Sequence, residues 1–417
     1  MVIRTTAVMM VMMTIMIMVR NCQRCRRMYH NKKLPFQKDV PLAKTASTDS
    51  GETSARTALP EGPDAVWQMF KERKRVLDSG CSQYLQQRGE IKRWFTDLYL
   101  SISQKVFYCP IEKTGSTEWK LFFKDASNHG VTVETIGSKP YPFIPLENIQ
   151  PYRHSPIRFL FVREPYHRLV SAYVDKLLSP NVIFWAGIGR YIVKKFRANA
   201  SRLSRKCGHD VTFAEFIIYV IDAEKTGVNT NGHFSPQFQH CHLCDFPYTH
   251  AGHLETLPED REFLLNAMDS PVDYVKDYPI ENLQRQVQWY LGATERYRAC
   301  ITVDEALRRL WQKLKIRGYL HKDVKYPLTT QQSEYISIRA FVSIASKAME
   351  LSRKVSADVK GNRRLSLIEA FQTVPDAQKR ELQTLFRWDF ELFGYDPHPP
   401  EVFNETVKST SLFDLWK

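Results

Sequence analysis

The sequence is short of glycine, of acidic residues relative to basic ones, and of long apolar stretches. Only 17 of its 417 residues are glycine and no segment repeats, which excludes a collagen-like chain. Hydrophobic residues make up 43%, so a wholly disordered chain is also excluded. The single long apolar run, at residues 5–19, excludes a polytopic membrane protein. We therefore expect one large globular domain or two smaller ones.

The shortage of acidic side chains leaves the chain basic. Lys and Arg number 59 against 45 Asp and Glu, a formal net charge of +14. The surplus lies in residues 1–60, with ten basic and three acidic side chains, and in residues 151–206, with twelve against two. Such a surplus predicts an acidic partner: nucleic acid, a membrane surface or an anionic polymer. We expect the block at 151–206 to form the functional surface.

The N-terminus has the pattern of a membrane anchor followed by a stem. The run at 5–19 is shorter than the ~17–25 apolar residues of a typical span, and no small-residue cleavage pattern follows it. We favour an uncleaved signal anchor within residues 1–20, with a cleaved signal or a misassigned start as alternatives. Basic residues follow the run, and the positive-inside rule would place that C-terminal side in the cytosol. This conflicts with the lumenal location that the rest of the chain indicates. Residues 21–65 predict a basic juxtamembrane segment and flexible stem, and residues 66–417 a globular domain.

Cysteines and sequons indicate an oxidising compartment. Asn199 and Asn404 each begin a glycosylation sequon. The cluster at 240–244, His-Cys-His-Leu-Cys, also matches zinc-ligand chemistry, but in an oxidising lumen we expect disulfides and no metal. An even number of cysteines in the globular part leaves fifteen possible pairings open. These six cysteines are Cys81, Cys109, Cys207, Cys241, Cys244 and Cys300.

A loop between a strand pattern and a helix pattern predicts an anion site. The apolar run 105–109 suits a buried strand, and a hydroxyl-rich loop follows at 110–117. Its backbone N–H groups and the dipole of the next helix favour a phosphate, to which Lys113 adds a charge and Ser116 and Thr117 add hydroxyl donors. The loop is not a Walker A motif, because Lys113 precedes the glycine. A capped turn with an incidental lysine is the alternative.

A second strand-to-helix junction carries an arginine. The apolar run 158–163 ends in Arg163, and Pro165 suits the first turn of the following helix. Ser171 lies two turns into that helix, so Arg163 and Ser171 can meet on one phosphate. A nucleotide hydrolase would instead carry a magnesium-binding Asp at such a strand end. A basic helix cap with a buried serine is the alternative.

The alternation of strand and helix patterns predicts the fold class. We expect an α/β domain of three layers around a mostly parallel, P-loop-like central sheet. Both phosphate motifs would then lie at the carboxyl ends of their strands, where such sheets bind ligands. Residues 281–318 and 366–393 have helical apolar spacing and are interpreted as scaffold.

The combined motifs resemble the membrane-bound carbohydrate sulfotransferases, the group of the chondroitin and dermatan 4-O-sulfotransferases and the HNK-1 sulfotransferase. Segment 109–119 is similar to that family's 5′-phosphosulfate loop, and segment 158–173 to its 3′-phosphate motif. Segments 231–257 and 386–395 are similar to two further blocks that the family shares. The four blocks occur in the family's order.

The resemblance implies transfer of a sulfuryl group from 3′-phosphoadenosine-5′-phosphosulfate (PAPS) to a sugar hydroxyl, without a metal. Lys113 would be catalytic, stabilising charge on the leaving phosphate oxygen. A general base must take the acceptor's proton; His233 is the first candidate, followed by Glu255 and His154. The residues expected to bind the donor are Lys113, Thr114, Gly115, Ser116, Thr117, Arg163 and Ser171.

The resemblance also implies a location and an acceptor. We expect a single-pass type II enzyme of the Golgi membrane with a lumenal catalytic domain, acting on the N-acetylgalactosamine 4-hydroxyl of chondroitin or dermatan. Glycoprotein or glycolipid oligosaccharides are the alternative acceptors. A P-loop kinase is disfavoured by the missing Walker A order, and a nucleic-acid protein by the lumenal features. A non-catalytic binder of anionic glycans remains a rival, although it would not need the Lys113 loop.

Overall fold

The computed structural model describes residues 63–87, 98–101, 105–136, 144–270, 278–355, 359, 361–408 and 412–413. The expected anchor at 1–20 and almost all of the expected stem at 21–65 lie outside these residues. Within the described ranges, no helix is both long enough and apolar enough to cross a bilayer. The described residues belong to one compact unit, Ala58–Lys417.

A five-stranded sheet forms the centre of the fold, in the order β3-β1-β2-β4-β5. Strands β2, β4 and β5 run parallel to one another, whereas β1 pairs antiparallel with both β2 and β3. The motif-bearing strands β2 and β4 are neighbours, so their carboxyl ends lie side by side. The strands are β1 Leu98–Ser101, β2 Val106–Cys109, β3 Val133–Ile136, β4 Ile157–Val162 and β5 His250–His253.

The prediction of a mostly parallel sheet is wrong, because the sheet is mixed. Only a few residues join β1 to β2, and a connection that short permits a hairpin but not the longer crossover that parallel neighbours require. Strand β3 then adds to the free edge of β1 with a half-exposed pattern that has no clear apolar alternation. Neither β1 nor β3 has a sequence signal comparable to those of β2 and β4.

Helices cover both faces of the sheet and thereby form three layers. Val106 and Tyr108 of β2 pack on one face against the first two helices, while Phe107 and Cys109 pack on the other. The helices are α1 Pro63–Gln87, α2 Ser116–Asn128, α3 Leu146–Ile149, α4 Pro165–Tyr173, α5 Val182–Phe184, α6 Arg190–Phe196, α7 Arg202–Cys207, α8 Phe213–Thr226, α9 Leu257–Ala267, α10 Tyr278–Thr294, α11 Val303–Ile316, α12 Thr330–Tyr335, α13 Ile338–Val355, α14 Gly361–Phe371, α15 Asp376–Leu385, α16 Arg387–Phe393 and α17 Pro400–Phe403.

Three disulfides connect distant parts of the domain. They pair Cys81 with Cys244, Cys109 with Cys241, and Cys207 with Cys300. The prediction that these six cysteines are oxidised is thus confirmed, and the pairing left open by the sequence is defined. Cys241 and Cys244 belong to different disulfides, so neither offers a thiolate to zinc. Across the described ranges, no group of three or more His, Cys, Asp or Glu side chains is arranged to hold a metal ion.

Candidate functional site

The loop after β2 ends in a helix without a side-chain cap. Gly115 is the N-cap of α2 and adopts a left-handed conformation with φ of 84°. A Cβ there would lie 3.1 Å from Leu254 Cδ1, so both the backbone and the neighbour favour glycine. Because no side chain caps α2, its first N–H groups remain available to a ligand. This helix start has the properties of an anion site.

Lys113 occupies a strained position within this loop. Its φ is 71°, and non-glycine residues in that region cost about 1–3 kcal/mol and cluster at functional sites. Its side chain is only 12% exposed. The next side chain, Thr114, is buried and donates its hydroxyl to Ile111 O at 2.8 Å, so only its backbone can meet a ligand. Ser116 is half-buried and Thr117 is exposed in the first turn of α2.

Arg163 lies at the end of β4 with its backbone clamped by a glutamine. Its N–H donates to Gln237 Oε1 at 2.9 Å, and its carbonyl accepts from Gln237 Nε2 at 2.7 Å. Burial lowers the pKa of Arg163 to about 10, so the guanidinium stays charged at neutral pH. Within the described part of the chain, no carboxylate forms an ion pair with it. Arg163 is half-buried, and a partly desolvated guanidinium without an ion-pair partner favours a bound anion.

Helix α4 differs from α2 because it supplies its own cap. The Glu164 carboxylate accepts from the N–H groups of Tyr166 and His167, at 3.0 and 2.6 Å. An anion near Arg163 must therefore find its second donor elsewhere. Ser171 lies farther along α4, is half-buried, and has no hydrogen-bond partner for its hydroxyl among the residues described. These properties are compatible with the predicted pairing of Arg163 and Ser171, which remains a prediction.

Asp175 connects the two motifs electrostatically. It belongs to a π-helical turn, Val174–Leu178, that continues directly from α4. Such turns occur frequently at functional sites. Its Oδ2 accepts from Lys113 Nζ at 2.9 Å, and its Oδ1 accepts from Lys313 Nζ at 2.7 Å. Arg317 and Lys176 each approach the carboxylate to 3.4 Å. Four cations thus surround one carboxylate, and we call this set the Asp175 cluster.

Crowding of positive charge shifts the pKa values within the Asp175 cluster. Burial lowers the pKa of Lys113 to about 8 and that of Lys313 to about 7, and Asp175 only partly opposes the effect. The four cations conversely hold the pKa of Asp175 well below its usual range, despite its burial. A lysine with a pKa near neutrality, in a strained loop, is typical of functional sites.

His233 lies near this cluster. Burial lowers its pKa to about 2, and the charges of Lys176 and Lys113 add to the effect, so the imidazole is neutral at physiological pH. Its Nδ1 lies 2.9 Å from Asn231 Oδ1, and an amide oxygen can only accept, so Nδ1 carries the proton. The lone pair is therefore on Nε2. A neutral imidazole oriented in this way can receive a proton, although its basicity is low.

The other two base candidates have different surroundings. Glu255 accepts from Glu164 N–H at 3.0 Å and from Tyr395 Oη at 2.9 Å, and its charge acts on Arg163. It therefore belongs with the second motif. His154 is exposed and precedes β4, so it lies at the opposite edge of the sheet from the loops that follow β2 and β4. The geometry favours His233 over both.

Two buried side chains position these groups, and the sequence reasoning missed both roles. Arg168, which we had counted in the basic block, is fully buried and donates to the carbonyls of Glu112, Ser235 and Gly232 at 2.6–3.0 Å. It thereby ties the Lys113 loop to the turn that carries His233. Asp389 of α16 accepts from Gln237 N and Phe238 N, both at 2.8 Å. It thereby holds the glutamine that clamps Arg163.

The basic block at 151–206 is partly neutralised within the domain. Arg197 pairs with Asp210 and Glu215, and Lys195 pairs with Asp222. Lys176 of the block does join the Asp175 cluster, but Lys313 and Arg317 come from α11 and its end, in the segment interpreted as scaffold. One signal was present: Lys313 lies three residues after buried Leu310, on the apolar face of the helix.

Comparison with known proteins agrees with these features. The model of the sulfotransferase family matches residues 96–322, more than half of the chain. Carbohydrate sulfotransferase 8 of Mus musculus is 28% identical over 54% of this chain and 58% of its own length. Carbohydrate sulfotransferase 11 of Rattus norvegicus is 31% identical over 40% and 51%, and carbohydrate sulfotransferase 14 of Danio rerio is 26% identical over 68% and 79%. No solved structure gives a significant match.

The family match contains β1 to β5, the Lys113 loop, Arg163, His233 and the whole of α11. The alignments cover about three fifths of the length of carbohydrate sulfotransferase 8 and half that of carbohydrate sulfotransferase 11. The predicted resemblance is confirmed: its curated relatives are carbohydrate sulfotransferases, and the chain belongs to the sulfotransferase family.

Proposed function

We propose that the chain is an enzyme that transfers the sulfuryl group of PAPS to a hydroxyl group of a glycan. The observation that carries the proposal is a pair of anion sites at the ends of two neighbouring parallel strands. One is the uncapped start of α2 beside Lys113, and the other is Arg163 with Ser171, where the half-buried Arg163 has no ion pair among the described residues. A donor that bears a 5′-phosphosulfate and a 3′-phosphate has two anionic groups that match two such sites.

Each group has a defined task in this proposal. The N–H groups of Thr114–Thr117 and the hydroxyls of Ser116 and Thr117 hold the 5′-phosphosulfate, while Arg163 and Ser171 hold the 3′-phosphate. Protonated Lys113 donates to the bridging oxygen, where negative charge develops as the S–O bond breaks. His233 Nε2 accepts the proton of the attacking sugar hydroxyl as the new O–S bond forms. The products are a sulfate ester and 3′,5′-adenosine bisphosphate (PAP), and the step needs no metal.

For the acceptor we propose a chondroitin- or dermatan-type chain, sulfated at the N-acetylgalactosamine 4-hydroxyl. The excess of cations around Asp175 supports an acidic glycan as the acceptor. The names of the relatives specify only that their acceptor is a carbohydrate. Oligosaccharides of glycoproteins or glycolipids are the second candidate acceptors. We further propose a Golgi-membrane protein with an anchor at 1–20, a stem at 21–65 and a lumenal catalytic domain at 66–417. Three disulfides support the oxidising compartment.

The test is transfer of labelled sulfate from PAPS to a panel of desulfated glycosaminoglycans and neutral oligosaccharides. We expect transfer by the wild-type protein and a loss of ~10²–10³-fold in Lys113→Ala, because the leaving oxygen loses its cation. Lys195→Ala is the matched control, since Lys195 also pairs with an aspartate but lies outside the site. Lys113→Ala activity within threefold of wild type would remove Lys113 from the mechanism. PAP binding without transfer to any acceptor would favour a non-catalytic binder.

A further inference from the structure

A cleft that is open to solvent lies between α10 and α11, beside the Asp175 cluster. Lys313 and Arg317 form its charged wall, and both contact Asp175 from α11 or its end. Asn282 and Gln286 of α10 supply two side-chain amides, and Tyr319 adds a phenol. Leucines of both helices complete the lining. Because Lys113 contacts the other oxygen of the same carboxylate, the cleft adjoins the proposed reaction centre.

The Asp175 cluster holds more basic than acidic side chains, which favours a further anion beyond the donor. One carboxylate faces four cations, and Lys313 is only 2% exposed, so water cannot fully solvate its ammonium. In the proposed function, the donor's anionic groups lie at the start of α2, at Lys113 and at Arg163. Among the described residues, Asp175 is the only carboxylate that Lys313 and Arg317 contact, and they share it with Lys113 and Lys176. A guanidinium and an ammonium on one wall form a suitable site for a carboxylate or a sulfate ester.

The remaining lining suits a sugar rather than a free inorganic anion. Amide and phenol groups donate to and accept from hydroxyls, and leucine side chains pack against the C–H face of a sugar ring. We infer that this cleft binds the acidic sugar of the acceptor glycan, so that the neighbouring hydroxyl is presented at Lys113. The inference rests on the proposed function.

The experiment compares three acceptor oligosaccharides: desulfated chondroitin, its carboxyl-reduced neutral form, and carboxyl-reduced chondroitin 6-sulfate. In Arg317→Gln we expect the KM for desulfated chondroitin to rise about 10-fold or more, as for loss of a charge-assisted hydrogen bond, with kcat little changed. The KM for the neutral form should not rise. A matching loss on the third acceptor shows that the cleft accepts a sulfate ester as well as a carboxylate. Arg317→Lys should restore part of the preference for acidic acceptors.

Lys176→Gln is the matched control. Lys176 contacts Asp175 at the same 3.4 Å as Arg317, but it lies against Phe184 and does not line the cleft. Its loss should leave the ratio of acidic to neutral acceptor use unchanged. Gln286→Leu removes a hydrogen-bonding group from the cleft without touching the charge cluster, and should raise the KM for acidic and neutral acceptors alike.

Three outcomes would overturn the inference. In the first, Arg317→Gln weakens PAP binding in calorimetry and affects all acceptors equally, which makes Arg317 a donor ligand. In the second, Arg317→Gln and Lys176→Gln behave alike. In the third, Gln286→Leu leaves the KM for every acceptor unchanged. Absence of transfer in the wild-type protein would instead reject the proposed function, and the cleft is then tested by calorimetric binding of the same oligosaccharides to the PAP-loaded protein.

Discussion

Replacing Asp175 by asparagine should move the pH dependence of the enzyme without removing any group that touches the donor. Asp175 is the only carboxylate in contact with Lys113 in the described structure, at 2.9 Å. With this partner, the pKa of Lys113 is about 8, so the lysine loses its proton as the pH rises through that value. Protonated Lys113 is the active form in our mechanism. In the wild type, kcat/KM for PAPS should therefore fall above about pH 8. Protonation of His233 should not change kcat/KM near neutral pH, because the pKa of its imidazole is about 2.

The size of the change follows from the lost attraction. Removing an opposite charge at this range lowers the pKa of a lysine by ~1–3 units, which places that of Lys113 between ~5 and ~7 in Asp175→Asn. At pH 7.5 the protonated fraction would fall from ~75% to between ~25% and ~0.3%. Activity at pH 7.5 should thus drop ~3- to ~200-fold and recover as the pH is lowered. A recovery of this kind distinguishes a positioning and charge-balancing role from misfolding.

The assay is kcat/KM for PAPS from pH 5 to pH 9, with the melting temperature recorded at each pH. Asp222→Asn is the matched control, because Asp222 also pairs with a lysine, Lys195 at 2.6 Å, but lies away from the site. Its profile should coincide with that of the wild type. If kcat/KM of Asp175→Asn fell at the same alkaline pH as that of the wild type, the reasoning would be refuted, because Lys113 would then titrate independently of Asp175.

Three further predictions concern the donor, the base and the disulfides. Arg163→Ala and Ser171→Ala should each raise the KM for PAPS and weaken PAP binding in calorimetry; unchanged binding in both variants would make the second motif structural. His233→Gln should lower kcat by ~10²–10⁴-fold with PAP affinity retained, and a kcat near that of the wild type would exclude His233 as the base. Reduction should lower the melting temperature, at a cost of ~2–5 kcal/mol for each disulfide, while a chelator should leave activity intact. Stoichiometric zinc that is lost together with activity would contradict the last prediction.

The parts of the site that the sequence predicts well are contiguous in the chain. A strand, a hydroxyl-rich loop and a helix start follow one another at 106–128, and the structure has them in that order. The second motif is equally local: β4 ends before Arg163, and α4 begins at Pro165 as its helix-start preference predicts. Such segments can be recognised because backbone geometry and side-chain chemistry are encoded together over a few residues.

The Asp175 cluster was not predictable in the same way. Asp175 and Arg317 alone are separated by 142 residues in sequence, so no local pattern joins the members of the cluster. The helical periodicity of 303–316 identified apolar core positions but not that Lys313 reaches inward to an aspartate. The mixed sheet was missed for a related reason. Strand direction depends on which segments pair, and the short strands β1 and β3 carry little of that information in their own residues.

The contact between Asp389 and Gln237 bears on when the donor site matures during synthesis. The two residues are 152 positions apart, and Asp389 belongs to one of the last helices to leave the ribosome. At ~5–20 residues per second, the glutamine that clamps Arg163 waits roughly 8–30 s for its carboxylate partner. Nascent chains that end before α16 lack this partner, however completely the sheet has formed. Capture of ribosome-bound chains on immobilised PAP would therefore select those that have already emerged through α16.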